Sequence, residues 1–168
     1  MIHLNIGSNL DSKYGTKFQN ISTAVNLLIN SNLKIQKISN FYETPSYPNK
    51  KLPKFVNVGI VANYELDCER LLNETLLIEK KIGRIRLMKN EPRVCDIDII
   101  DFNGLIKTKS INLPHPRSHR RNFVLYPIKE IDPNWVHPIL KKNVDFLINE
   151  LSQNSRIEIT RLNKSVIV

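Results

Sequence analysis

The 168-residue chain has only two cysteines, Cys68 and Cys95. Two thiols do not make a disulfide framework, so the core must hold the fold, and a reducing, cytoplasmic location is expected. Glycines number five, and none belongs to a G-x-x-x-x-G-K-S/T or G-x-G-x-x-G loop. That argues against P-loop and protein-kinase architectures. Any nucleotide must be held by side chains and metal ions instead of a glycine cradle. No apolar run approaches membrane-spanning length, and the opening MIHLNIGSNL has no basic n-region. A soluble, unprocessed protein with no membrane partner is expected. Repeats and low-complexity segments are absent too. Acidic residues are outnumbered, 16 against 25 Lys and Arg, for a net charge of +9. That excess suits an anionic partner, unless a lysine-rich composition merely spreads charge over the whole surface.

What is present fits one domain over residues 1–168, with an ordinary apolar fraction of 41%. Residues 2–6 alternate apolar and polar and stop at Gly7, a short strand; Ser8 or Asn9 is placed to cap the helix that follows. Phe18, Ile21, Val25, Leu28 and Ile29 share one helical face over residues 17–30. Residues 33–42 alternate again as a second strand, 44–53 form a proline-dense loop, and 55–62 form a β-branched strand. Asp67 can cap a helix that ends at Gly83, and residues 96–102 read as a strand. Residues 123–131 and 144–151 look helical, and 156–160 read as a last strand. The order β-α-β-β-α-β describes an α+β fold: a ferredoxin-like split βαβ sheet with helices packed on one face and C-terminal additions.

Within PRVCDIDII, residues 92–100, two carboxylates sit one residue apart in an apolar run. Residues i and i+2 share a strand face, so Asp96 and Asp98 point the same way with α-carbons roughly 6.5–7 Å apart. Ile97 and Ile99 point to the core. Unpaired carboxylates that close repel, and burial strengthens the repulsion, so a cation must compensate. Two readings are open: Mg²⁺ shared with phosphate oxygens, or an arginine-paired cluster. Arg84, Arg86, Lys89 and Arg93 precede the pair within one connection, the makings of a magnesium–polyphosphate site. Phe55, Asn57 and Gly59 share the strand face opposite Val56, Val58 and Ile60. An aromatic, an amide and a glycine there suit a flat heterocycle, or simply a wet face. Glu79 shares the Leu72–Leu76 helical stripe, as a half-buried ion-pair partner or a site residue. His115 is held between two prolines and can donate to a phosphate. Lys80 and Lys81 read as a solvated edge, His119 and Arg120 as surface, and Cys95 as an inert core thiol.

Several motifs line up in order: IGSN (6–9), FYETP (41–45), KFVN (54–57), IEKKIGRIR (78–86), EPRVCDIDII (91–100), LPHPR (113–117) and RRNFVLYPIKEI (120–131). Over residues 1–138 the chain resembles 6-hydroxymethyl-7,8-dihydropterin pyrophosphokinase, the folate-pathway family that transfers pyrophosphate from ATP to a pterin hydroxymethyl group and leaves AMP. The resemblance implies two Mg²⁺ ions on Asp96 and Asp98, with Arg84 and Arg93 beside the chemistry. It implies nucleotide contacts from Glu79, Arg86, Arg93, Ile99, His115, Arg117 and Arg121. It also implies pterin contacts from Thr44, Pro45, Phe55, Asn57 and Phe123, the two aromatics closing around the ring. ATP and a hydroxymethyl-dihydropterin are then the partners of an expected monomer, with no stable nucleic acid. The connection at Lys89, Asn90 and Glu91 is about one residue shorter than the family's and lacks its bulky residue. Two other readings compete: a basic ferredoxin-like RNA-binding module, and a homologue that binds pterin or nucleotide without turnover. RNA binding is opposed by the lack of an RNP-type aromatic string and by the repulsion between D-x-D and a phosphate backbone.

Overall fold

The computed structural model describes residues 1–84 and 92–168. Six strands form one antiparallel sheet: β1 (Ile2–Ser8), β2 (Lys34–Ile38), β3 (Tyr42–Thr44), β4 (Phe55–Asn63), β5 (Asp96–Phe102) and β6 (Thr160–Arg161). The strand order is β5-β1-β4-β3-β6, with β2 also on β4. Since β1 and β2 both run antiparallel to β4 between them, the chain makes a split βαβ unit through α1 (Lys17–Asn30). It makes another through α2 (Cys68–Ile82), with β1 inserted between β4 and β5. The helices start and stop where local chemistry dictates. Thr16 and Gln19 form a capping box on α1. Asp67 accepts from Arg70 N at 2.7 Å to cap α2, which ends at left-handed Gly83.

Every residue of β1 is buried, because helices cover both faces of the sheet and not the single face expected. Ile2, Leu4, Ile6, Val56, Val58, Ile60, Ile97 and Ile99 pack with α1 and α2 in one core. On the other face α3 (Asn122–Ile131) and α4 (Val144–Glu150) build a second core with Ile100 and Trp135. A register shift in the β1–β5 ladder lets β5 serve both: His3 pairs Asp101 while Leu4 pairs Ile99, so Ile100 is an extra residue. Asp101 then accepts from Trp135 Nε1 at 2.8 Å under the second layer.

The strand expected over 33–42 is divided into β2 and β3. At the break, the Asn40 N–H turns to Glu130 Oε1 at 3.1 Å and the Phe41 N–H to Lys164 O at 3.0 Å. The strand expected over 156–160 is not continuous: its first two residues end α5 (Gln153–Ile157), which is capped by Ser152, and only Thr160–Arg161 pair as β6. Neither Ser8 nor Asn9 caps α1. Ser8 Oγ donates to Val94 O at 2.8 Å, and Asn9 bonds Ser46, Pro53 O and the Arg93 N–H, tying the β3–β4 loop and the segment before β5 to the end of β1. Among the described residues, no helix is long and apolar enough to cross a membrane.

Candidate active site

The C-terminal half of β1 is the floor of the site. On the α3 side of the sheet, Gly7 pairs with Asp96 on β5 and Asn57 on β4, and Asn5 pairs with Asp98 and Gly59. Strand alternation therefore puts both carboxylates, Phe55 and Asn57 on one surface, with β1 as the spacer between acid and amide. Gly7 leaves room for the Asn57 carboxamide, since a β-carbon at this position would lie 2.6 Å from Asn57 Oδ1. Above this floor opens a cavity of about 550 Å³. Its walls are Thr44, Pro45 and Lys50 from β3 and the following loop, and Arg117, Arg120, Arg121 and Phe123 from the 3₁₀ turn Ser118–Arg120 and the start of α3. Ser155 and Glu158 of the C-terminal segment complete it. An ion pair between Lys50 and Glu158 and the Asn122 Nδ2 bond to Ser155 O at 2.6 Å hold that segment in place.

Each carboxylate meets arginine. Arg84 Nη1 lies 2.5 Å from Asp96 Oδ1 and Arg93 Nη1 2.7 Å from Asp96 Oδ2. Arg121 Nη1 donates to Asp98 Oδ2 at 2.9 Å. Burial, and then the Asp96 charge, push the Asp98 carboxyl above the ordinary carboxylate range despite Arg121. A pair in which one acid resists ionisation, open to a cavity and built of hard oxygens, fits a divalent cation better than guanidinium alone satisfies it. Among the described residues, no third acid, histidine or cysteine joins the pair; remaining ligands must come from substrate or water.

His115 Nδ1 lies 3.1 Å from the Arg117 N, and its Nε2 lies 3.4 Å from Arg121 Nη1 and 3.9 Å from Asp98 Oδ2. Burial lowers its pKa, joined by Arg121 and Arg117, against the neighbouring Asp98 charge, which raises it. Arg93 lies over the Phe55 ring at 5.8 Å and Arg121 over the Phe123 ring at 5.4 Å. Each aromatic thus stands beside an anion-binding arginine.

Of the residues singled out from the sequence, Thr44, Pro45, Phe55, Asn57, Arg93, Asp96, Asp98, Arg117, Arg121 and Phe123 line this one cavity. Arg84 reaches it through Asp96. Glu79 does not border it. It is 2% exposed, accepts from the Ile97 N–H at 2.8 Å and lies 2.5 Å from Arg84 Nη1, so it anchors that guanidinium from behind. Ile99 points its side chain into the first core. His115 stands behind Asp98 and Arg121. Arg86, with Lys89, Asn90 and Glu91, lies outside the described residues. Cys95 is buried with its thiol pKa raised by burial, consistent with an inert core position. Arg120 is not mere surface but part of the cavity wall. Asn5 and Lys50 also line the cavity unanticipated. Asn5 carried a signal in its parity with Gly7 on β1; Lys50 carried none.

Residues 3–133 match the family 7,8-dihydro-6-hydroxymethylpterin-pyrophosphokinase (HPPK). The folic acid synthesis protein FOL1 of Dictyostelium discoideum is 39% identical over 141 residues, 83% of this chain but 21% of that protein. The 2-amino-4-hydroxy-6-hydroxymethyldihydropteridine pyrophosphokinase of Aquifex aeolicus is 35% identical over 142 residues, 84% of this chain and 86% of its own length. Among solved structures, an HPPK-DHPS variant of Plasmodium falciparum with pterin and p-hydroxybenzoate superposes with a TM-score of 0.73 at 16% identity, a likeness of fold. That superposition covers 95% of this chain and 46% of the other. The chain thus spans most of the Aquifex enzyme but only a part of the longer folate proteins. With two thirds or more of the chain matched in each comparison, and the acid pair, arginines and aromatics gathered on one sheet face, this chain belongs to the HPPK family.

Proposed function

We propose that this chain transfers the terminal diphosphate of ATP to the hydroxymethyl group of 6-hydroxymethyl-7,8-dihydropterin, giving the pterin diphosphate and AMP in folate biosynthesis. One observation carries the assignment of roles. Asp96 and Asp98 share a cavity floor with Asn57 and Phe55, one strand apart, so a triphosphate and a flat heterocycle would meet above Gly7. Asp96 and Asp98 would hold magnesium together with the triphosphate. Magnesium, once bound, supplies neutralisation of charge on the transferred group. Arg93, Arg117, Arg120 and Arg121 exchange carboxylate or solvent for phosphate oxygens, and Arg84 stays anchored by Glu79. Phe55 and Phe123 grip the ring, Asn57 bonds its edge, and backbone groups at Thr44 and Pro45 border it. The hydroxymethyl oxygen then attacks the β-phosphorus in line, its bond to phosphorus forming as the bond to the AMP oxygen breaks. Most of the acceleration is positioning and electrostatics. Both cores are built on one sheet, which supports a single domain over residues 1–168, and the working unit is read as a monomer. A cytoplasmic location, where ATP is at hand, goes with this reading.

The test is AMP release from ATP and the hydroxymethyl-dihydropterin, with and without Mg²⁺. Release only with both pterin and metal, abolished in Asp96→Ala and Asp98→Ala proteins that still melt cooperatively, is the expected result. Metal-independent release, or near-wild-type turnover in either variant, contradicts it. Pterin binding without AMP at excess Mg²⁺ identifies a non-catalytic homologue.

A further inference from the structure

Asn5 occupies a place where strand geometry demands an explanation. It lies on a fully buried strand, opposite Asp98 on one side and Gly59 on the other, and diagonal to Asn57 on the same face. Asn5 is 4% exposed and Asn57 3%. The Asn5 Nδ2 donates to Asn57 Oδ1 at 3.3 Å. That bond leaves Asn5 Oδ1 and Asn57 Nδ2 buried without a hydrogen-bond partner, while both residues line the cavity. Buried amide atoms without partners are costly and uncommon, and a strand interior that needed only packing would carry an aliphatic residue here. Instead one acceptor and one donor without partners belong to neighbouring residues of the cavity floor. Turning both amides over exchanges their atoms but still leaves one donor and one acceptor open. That pattern is completed by the edge of a flat heterocycle carrying a donor next to an acceptor.

We infer that Asn5 is a specificity-determining residue for the heterocyclic substrate, holding the Asn57 carboxamide in its binding orientation and presenting its own amide to the ring edge. The inference rests on the pyrophosphokinase reading above. Its position between Asp98 and Asn57 also joins the phosphate half of the floor to the heterocycle half, so ring registration is set against the acid pair.

Calorimetry with 6-hydroxymethylpterin, in the presence of Mg²⁺ and a non-hydrolysable ATP analogue, tests this on the intact chain. Asn5→Ala should weaken pterin binding by roughly tenfold or more, raise KM for the pterin with kcat little changed, and leave analogue affinity and melting temperature at wild-type values. Wild-type pterin affinity in Asn5→Ala, alongside a clear loss in Asn57→Ala, would overturn the inference and leave the pyrophosphokinase reading standing. Failure of the unaltered chain to bind pterin overturns both. Should Asn5→Ala not fold, side-chain amide resonances of the unaltered chain decide. An Asn5 signal that shifts on pterin addition supports the contact, and one that stays still removes it.

Discussion

Gly7 and Gly59 face the same way from neighbouring strands, yet a methyl group has different consequences at each. At Gly7 the new β-carbon would meet the Asn57 carboxamide oxygen at 2.6 Å, the end of a side chain that can swing aside. At Gly59 it would meet Pro127 Cβ at 2.8 Å and Ile131 Cδ1 at 3.3 Å, so helix α3 itself must retreat. Gly7→Ala should therefore change stability little while weakening pterin binding by about an order of magnitude, the value of a displaced amide contact. Gly59→Ala should lose about 1–3 kcal/mol of folding stability through overpacking. Urea denaturation and pterin titration of the two proteins separate these effects, and identical profiles would refute the distinction. At this scale the sequence was informative wherever alternation alone decides orientation. Asp96, Asp98, Phe55 and Asn57 reach the cavity because their parity on β4 and β5 dictates it. Glu79 was ambiguous because helical periodicity names a stripe without saying what lies opposite. Only the fold shows that the Ile97 amide and Arg84 occupy its carboxylate.

At the level of elements, Glu130 near the end of α3 is the junction between layers. Its carboxylate accepts from Asn40 Nδ2 at 2.7 Å, from the Tyr42 hydroxyl at 2.7 Å and from Arg161 Nε at 3.2 Å. It thereby joins α3, the β2–β3 break and β6. Burial alone would raise this carboxyl, but the bonds from Arg161, Tyr42 and Asn40 outweigh it and hold the pKa at about 2. A folded pKa below the unfolded one means the stabilisation is complete above the ordinary Glu value of about 4.3. It is lost as pH falls from there toward 2. Glu130→Gln should cost about 1–3 kcal/mol at pH 7 and progressively less below about pH 4. Denaturant midpoints across that range check the sign; a cost independent of pH would show that charge is not involved. The divided strand over residues 33–42 has its cause here. Its alternation is continuous in sequence, and the break arises because Glu130, some 90 residues away, captures the Asn40 N–H.

For the whole molecule, the net charge of +9 takes on a direction once the fold is known. Arg93, Arg117, Arg120, Arg121 and Lys50 converge on one cavity, so charge that could have been spread evenly is focused there. Raising ionic strength from about 0.05 to about 0.5 M shortens the screening length several-fold. That change should weaken nucleotide-analogue binding by roughly tenfold while leaving pterin affinity nearly constant. Equal salt sensitivity of the two ligands would show that the arginines do not act on phosphate alone. The sequence by itself determined the two βαβ units, their helix ends at Asp67 and Gly83, and the shared face of the acid pair. These depend on near-neighbour chemistry: strand alternation, helical period and capping. Only the tertiary structure decided that both sheet faces are covered, that Arg84 and Arg93 converge on Asp96, and that Asn5 leaves an amide open beside Asn57. Those outcomes depend on which strands become neighbours: Asn5 and Asn57, for one, are 52 positions apart along the chain.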